Sequence, residues 1–137
     1  MATIAYNFGR GLGAPAAEAL PSDLVMAMVA VESAHNASAY ASDPMQVNNS
    51  GDWAPRKAHY GLTQGVAPGQ YLGILAGIQW LSYKAYRDDS TGARASFRGW
   101  DEAVTRYNGG GDPNYLSKVQ AARAISVHSG SYPHDLK

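Results

Sequence analysis

A single carboxylate, Glu32, follows an unbroken run of apolar residues at positions 24–31 and precedes Ser33. A helix that is apolar on every face packs inside a core, so this run predicts that Glu32 is partly removed from water. Loss of water and the negative end of the helix macrodipole both raise the pKa of a carboxyl group. An acid that stays protonated near neutral pH can donate a proton to a leaving oxygen, as glycosidic bond cleavage requires. We therefore predict that Glu32 is a catalytic acid, the alternative being a solvated residue at a helix end.

The composition excludes several classes of partner. The chain has a formal net charge of zero at pH 7 and no cluster of Lys or Arg, so the electrostatic footprint of a nucleic-acid binder is missing. It contains 3 Trp and 9 Tyr but only 2 Phe, a bias toward aromatic side chains that stack on sugars and hydrogen-bond at their edge. It has no Cys and its 4 His residues show no paired metal-ligand spacing, so we predict neither a metal nor a cofactor.

The length of 137 residues predicts one domain with one core. We divide it into an N-terminal arm (1–21), a core (22–126) and a C-terminal tail (127–137). No basic segment followed by an apolar stretch marks a signal peptide at the N-terminus. The most apolar later stretch, residues 71–81, is shorter than the roughly 20 residues that span a bilayer. We therefore expect no membrane span.

Hydrophobic periodicity predicts an all-α fold. A first helix begins near residue 24 and ends at Asn36, a central helix covers 68–86, a short one covers 100–107, and a last one follows Asp112. Apolar residues at three-and-four spacing predict one buried stripe on the central helix, at Tyr71, Ile74, Leu75, Ile78, Leu81 and Ala85, and another on the last helix, at Tyr115, Leu116, Val119, Ala122 and Ile125.

Two further features concern the chain around the central helix. Gly73 and Gly77 lie one turn apart, where each costs about 1 kcal/mol relative to Ala; the pair predicts close approach of another helix backbone. Residues 37–67 carry scattered Pro, Gly, Asn and Asp without an apolar period, which predicts a long ordered loop. A small β-hairpin over residues 45–53 is the alternative for part of it.

Several short motifs occur in an order that is known from one enzyme family. They are Glu32-Ser33, Asn36, Pro44-Met45-Gln46-Val47, Ala76-Gly77, Tyr107-Asn108-Gly109-Gly110 and Tyr115. Across residues 22–120 their order and spacing resemble the lytic transglycosylase and goose-type lysozyme superfamily. The resemblance implies a lysozyme-like helical domain with a long active-site loop. It also implies cleavage of the β-1,4 bond between N-acetylmuramic acid (MurNAc) and N-acetylglucosamine (GlcNAc) in peptidoglycan.

The resemblance also implies roles for individual residues. Glu32 would be the catalytic acid, and Ser33 would orient Glu32 or the substrate, unless its hydroxyl only satisfies its own helix end. Met45 and Gln46 would line the substrate groove, the Gln amide bonding an N-acetyl sugar; simple core packing is the alternative for Met45.

Aromatic and amide side chains complete the expected groove. Tyr107 and Asn108 would stand near Glu32, the phenol bonding the carboxyl or the substrate, and Asn108 can also be a helix C-cap. Trp53, Tyr60 and Trp80 are candidates to line the groove, although the position of Trp80 on the central helix favours the core.

A second carboxylate is the main departure from the family pattern. Asp43 stands where the family usually has Gly, and Pro44 where Leu is common; Asp52 is a further candidate on the same loop. A hydrolase needs such a group, about 6.5–9.5 Å from the acid in inverting enzymes and about 5–5.5 Å in retaining ones. Lytic transglycosylases, by resemblance, use one Glu as acid and then base, with the substrate's N-acetyl group assisting. The alternative for both Asp residues is a turn.

Three functions therefore remain open. The first is a lytic transglycosylase that forms 1,6-anhydro products with Glu32. The second is a hydrolysing muramidase or chitinase in which Asp43 or Asp52 is the base. The third is a non-catalytic wall-binding or structural module of a phage tail or secretion apparatus, against which the presence of Glu32 argues.

The resemblance also leads to expectations about the location and the partners of the protein. We expect a monomer that acts on peptidoglycan glycan strands of the bacterial cell wall, in the periplasm or outside the cell. Without a visible signal peptide it would be delivered by a holin, a phage particle or a secretion system, as a phage lysin or as an effector toxin. A toxin would also need an immunity or inhibitor protein as a partner.

Overall fold

The computed structural model describes residues 18–33, 36–49, 53–88 and 94–129, and it is mostly helical. This confirms the predicted all-α class. The elements in chain order are α1 (Ser22–Ser33), α2 (Ala37–Ser42), a 3₁₀ helix (Pro55–Tyr60), α3 (Gly69–Lys84), strands β1 (Tyr86–Asp88) and β2 (Arg94–Phe97), α4 (Trp100–Asn108) and α5 (Tyr115–Ser129). Most of the predicted N-terminal arm and C-terminal tail, as well as Asp52, lie outside the described residues. Helix α5 extends into the segment that was predicted to be tail.

Helix α1 is buried along most of its length, as its apolar sequence predicts. The buried members are Leu24, Val25, Ala27, Met28, Val29, Ala30 and Ser33. The helix packs chiefly against α5, and Arg123 of α5 pairs with Asp23 at 2.9 Å near the start of α1. The core on all sides of α1 therefore fixes the end of the helix, where Glu32 lies.

The central helix α3 packs against α4 and α2. Ile78 and Leu81 are fully buried, as the predicted stripe requires, and Ala85 just beyond the helix is buried too. Tyr71 is 80% exposed, so the prediction that it belongs to the buried stripe is wrong. Tyr71 lies in the first turn of α3, beyond the elements that cover the rest of the stripe. Ile125 on α5 is exposed as well, so the prediction that it belongs to the buried stripe of the last helix is also wrong.

The prediction of a long loop over residues 37–67 is wrong in two places, since α2 and the 3₁₀ helix both lie within it. Asn36 does not end the first helix, which stops at Ser33. Instead Asn36 caps α2, and its Oδ1 accepts a hydrogen bond from Ala39 N at 3.1 Å. Helices of six residues are too short to show an apolar period, although the cap residue itself was visible in the sequence.

The small hairpin lies elsewhere than predicted. Residues 45–49 form turns, not strands, whereas β1 and β2 pair in an antiparallel hairpin directly after α3. Tyr86 and Phe97 are cross-strand partners, with ring centroids 5.2 Å apart. A hairpin was not predicted at this place, because the aromatic pair that stabilises it was not recognised in the sequence.

The glycine pair of α3 accommodates a turn and not another helix. An ideal Cβ on Gly73 would lie 2.7 Å from Pro44 Cδ, and one on Gly77 would overlap the side chain of Met45. The prediction of close approach is therefore right, but the partner is the segment after α2. We call residues 43–48 the Met45 turn. No helix among the described residues is both long and apolar enough to cross a membrane.

Candidate active site

Glu32 is the next-to-last residue of α1 and is partly buried. Burial raises the pKa of its carboxyl to about 7. The negative charge of Asp43 raises the pKa further, and hydrogen bonding from Tyr115 lowers it. The predicted rise in pKa is thus confirmed, and its main cause is the predicted one, loss of water. A carboxyl with this pKa exists in both its protonated and its ionised form near neutral pH.

Tyr115, the first residue of α5, supplies the phenol that faces Glu32. Its side chain is buried, and its hydroxyl has no partner of strict hydrogen-bond geometry within the described structure, so its contact with Glu32 is a loose one. Burial first, and then the charge of Glu32, raise the pKa of Tyr115. The phenol therefore keeps its proton and serves as a donor. From the sequence, Tyr115 was predicted to belong to the family motifs and to the core, but not to the site.

Asp43 follows α2 and is only 8% exposed. Its two carboxylate oxygens accept hydrogen bonds from the backbone amides of Val47, at 3.0 Å, and Asn48, at 2.9 Å. Burial raises the pKa of Asp43, while the two backbone hydrogen bonds and the charge of Lys57 lower it. Asp43 therefore closes the Met45 turn, which is the turn role that we weighed against a catalytic one.

Gln46 also contributes to the shape of this turn. It has a positive φ of 49°, which a residue with a side chain rarely adopts. Its Nε2 donates to the carbonyl oxygen of Asp43 at 2.8 Å, and its backbone amide donates to the same oxygen at 3.0 Å. These bonds hold the strained conformation, so the amide group that was expected to bind a sugar is engaged within the turn.

Met45 does not line a groove, because its side chain is fully buried. It fills the space that Gly77 leaves on α3, which is the alternative of core packing. Tyr107 bonds to the backbone of the same residue. Its hydroxyl donates to the carbonyl oxygen of Met45 at 2.7 Å in a buried hydrogen bond. Tyr107 thus ties the Met45 turn to α4.

Asn108 and Ser33 lie at the ends of α4 and α1. Asn108 is the last residue of α4 and the C-cap is Gly109, with φ of 72°; the Asn108 Nδ2 donates to the carbonyl oxygen of Asp112 at 3.3 Å. Asn108 therefore shapes the link to α5. Ser33 is fully buried, and its hydroxyl has no hydrogen-bond partner within the part of the chain that the structure describes. Within that part of the chain, the Ser33 hydroxyl therefore shows neither a hydrogen bond to Glu32 nor one to its own helix end.

Lys57 is a second residue that the sequence analysis missed. It lies on the 3₁₀ helix, is only 2% exposed, and places its Nζ 4.9 Å from the centroid of the Trp80 ring. Its charge acts on Asp43. Trp80 itself is buried, as its position on α3 favoured, whereas Trp53 and Tyr60 are half-buried at the edge of the core. No pattern in the sequence marks Lys57, since its burial depends on elements distant in the chain.

Residues 18–33, 36–49, 53–88 and 94–129 contain no group of three or more His, Cys, Asp or Glu that could hold a metal ion. Comparisons of the chain with protein-family models, with curated proteins and with solved structures find no match. The class of the protein is therefore described from its own fold and site. It is a mainly helical protein in which a glutamic acid of raised pKa ends a buried helix, beside a buried aspartate and a buried phenol.

Proposed function

We propose that this protein is a lytic transglycosylase with a lysozyme-like fold, which cleaves the β-1,4 bond between MurNAc and GlcNAc in peptidoglycan. The observation that carries the proposal is the pKa of Glu32, raised to about 7 by burial at the end of α1. One carboxyl group can then act first as an acid and next as a base near neutral pH. The resemblance of the motif order to the lytic transglycosylase and goose-type lysozyme superfamily names the substrate.

The convergence of those motifs supports the same proposal. Met45 packs on Gly77 of α3, and its carbonyl accepts the hydrogen bond from Tyr107 of α4. Asp43, at the start of the same turn, acts electrostatically on Glu32. Motifs that are separated by tens of residues in the sequence therefore meet around one turn next to the acid. A chance collection of short motifs gives no reason for such a meeting.

The surroundings of Asp43 favour a mechanism with one catalytic carboxyl over hydrolysis with two. A general base must be free to accept a proton from a water molecule within hydrogen-bond distance. Each oxygen of Asp43 already accepts a backbone hydrogen bond, and the side chain is nearly inaccessible. Asp43 is thus suited to raise the pKa of Glu32 by its charge and is poorly placed to activate water.

The proposed reaction has two steps. Protonated Glu32 donates its proton to the glycosidic oxygen as the bond from that oxygen to C1 of MurNAc breaks, and the acetamido oxygen of MurNAc bonds to C1. The ionised Glu32 then removes the proton from the C6 hydroxyl, whose oxygen bonds to C1 and displaces the acetamido oxygen. The product is a 1,6-anhydro sugar, and Glu32 is again protonated. The Tyr115 hydroxyl stabilises the ionised form between the two steps.

The test is mass spectrometry of the soluble products from purified sacculi, with the wild type, Glu32→Gln and Asp43→Asn. We expect anhydro products, one water lighter than hydrolysed ones, from the wild type and none from Glu32→Gln. Residual anhydro product from Asp43→Asn would fit its indirect role. Reducing-end products would contradict the proposal and favour a muramidase. Wall binding without products from the folded wild type would favour a non-catalytic module.

We also propose that the protein acts at the bacterial cell wall, after delivery by a holin, a phage particle or a secretion system. An immunity or inhibitor protein that blocks the site would be a partner if the protein is a delivered toxin. Co-purification from the producing cell, with Glu32→Gln as bait, tests for such a partner.

A further inference from the structure

A cationic pocket lies where the end of α3, the hairpin and α4 meet. It has a volume of about 290 Å³ and is lined by Tyr83, Lys84, Tyr86, Arg98 and Arg106. Three of these five side chains carry a positive charge. Arg106 pairs with Glu102 at 2.9 Å, in an ion pair whose members are both exposed. Among the described residues, the lining of the pocket therefore carries more positive than negative charge.

Arg98 is the residue in this pocket whose charge is least satisfied. Its Nη1 donates to the carbonyl oxygen of Lys84 at 3.2 Å, and its backbone amide donates to Ala85 at 2.7 Å. Its Nε is buried and has no partner, and no carboxylate pairs with its guanidinium among the described residues. A half-buried guanidinium normally has an anionic partner. The two backbone hydrogen bonds hold Arg98 in place without neutralising it.

Aromatic rings in and beside the pocket hold two cations, Lys84 of the lining and the neighbouring Arg56. The Nζ of Lys84 lies 4.5 Å from the centroid of the Trp80 ring and 5.8 Å from that of Tyr83. On Tyr83, the Cζ of Arg56 lies 3.9 Å from the ring centroid. These cation–π contacts hold the charged groups of Lys84 and Arg56 against aromatic rings. The positive electrostatic potential at the pocket therefore comes in part from side chains that are held in place.

We propose that this pocket binds an oxyanion group, a carboxylate or a phosphate, of a ligand. A guanidinium presents donors in a planar fork that matches both groups, and nearby ammonium and guanidinium charges strengthen the binding. The volume is at the lower end of the range for small-molecule sites, which suits one such group with its adjoining atoms. The described lining of the pocket is cationic, in contrast to the zero net charge of the whole chain.

This site is distinct from the one at Glu32 and does not depend on the proposed reaction. Lys84 lies seven residues beyond Gly77 on α3, which is about 10 Å along the helix axis. The Met45 turn packs at Gly77, and no residue that lines the pocket acts on the pKa of Glu32. Failure of the catalytic proposal would therefore leave this inference standing, and the reverse also holds.

The test is an NMR titration of the full chain with sodium phosphate and, separately, with sodium acetate, at an ionic strength kept constant with sodium chloride. We expect saturable shifts of amide signals around Tyr83, Lys84 and Arg98 with one or both anions. The anion that saturates at lower concentration identifies the preferred group. Arg98→Gln should bind about tenfold more weakly, because it loses charged hydrogen bonds.

Lys118→Gln is the matched control, since it removes the same charge from an exposed ion pair with Asp112 on the surface and should bind like the wild type. Should Arg98→Gln fail to fold, Arg106→Gln at an exposed position takes its place and is expected to weaken binding several-fold. Shifts that do not saturate with either anion would overturn the proposal. So would equal affinity of the pocket variant and the Lys118→Gln control.

Discussion

Replacing Glu32 by Gln should make the protein more stable at alkaline pH while abolishing its activity. Because the pKa of Glu32 is raised by folding, the folded chain holds this proton more tightly than the unfolded chain does. The resulting stabilisation is fully present below the unfolded pKa and is lost as the pH rises through the folded pKa of about 7. Gln has nearly the same shape and no charge, so it escapes this loss.

The size of the effect follows from the pKa values. A rise from the ordinary 4.5 to about 7 corresponds to a loss of about 3 kcal/mol between acidic and alkaline pH. Partial access of solvent to the carboxyl reduces it, and we expect a gain of about 2 kcal/mol for Glu32→Gln at pH 8.5. At pH 4, where Glu32 is protonated in the folded state, the two proteins should differ little.

Urea unfolding at pH 4 and pH 8.5 measures both differences. Glu102→Gln is the matched control, because Glu102 is exposed in its pair with Arg106 and its loss changes stability by less than about 1 kcal/mol. Relative to the wild type, only Glu32→Gln should be more stable in the alkaline buffer than in the acidic one. Equal stability of wild type and Glu32→Gln at pH 8.5 would refute the reasoning that burial of Glu32 opposes its ionisation.

The remaining predictions concern the pH dependence of cleavage and the packing of the turn. Cleavage of sacculi by the wild type should decline as the pH rises through about 7, because the acid form of Glu32 is lost. Tyr115→Phe should move this decline to higher pH, since the hydrogen bond from Tyr115 lowers the pKa of Glu32; an unchanged pH–rate profile would count against the contact. Gly77→Ala should destabilise the fold by about 1–3 kcal/mol in thermal unfolding, because its Cβ would overlap Met45. Gly111→Ala, whose Cβ would meet nothing closer than 3.9 Å, is the control and should stay near neutral.

The sequence predicts the elements whose signal is local and long. The apolar run of α1 predicted both its burial and the raised pKa of Glu32, because twelve residues offer enough turns for the pattern to be clear. Helix α2 and the 3₁₀ helix were not predicted, since each spans only six residues and buries little of its own surface. The hairpin was missed because its strands are too short to show alternation.

The detailed contacts of the site could not be predicted from local patterns. Tyr107 and Tyr115 both lie on predicted helices near the family motifs, and only Tyr107 was expected to bond Glu32, whereas Tyr115 acts on the pKa of Glu32. Which phenol reaches the acid depends on how α4 and α5 pack, and periodicity does not contain that information. The burial of Lys57 is likewise a product of the elements around it. Local sequence normally indicates that a lysine is exposed.

The two hydrogen bonds that occupy Asp43 have a consequence for how such an active site can evolve. A second carboxylate is already within electrostatic range of Glu32, but backbone amides engage both of its oxygens. A change from the proposed one-carboxylate mechanism to a two-carboxylate mechanism would therefore need no new acidic residue. It would need a different backbone path after Met45 that releases Asp43 to water, so the geometry of a single turn separates the two kinds of chemistry.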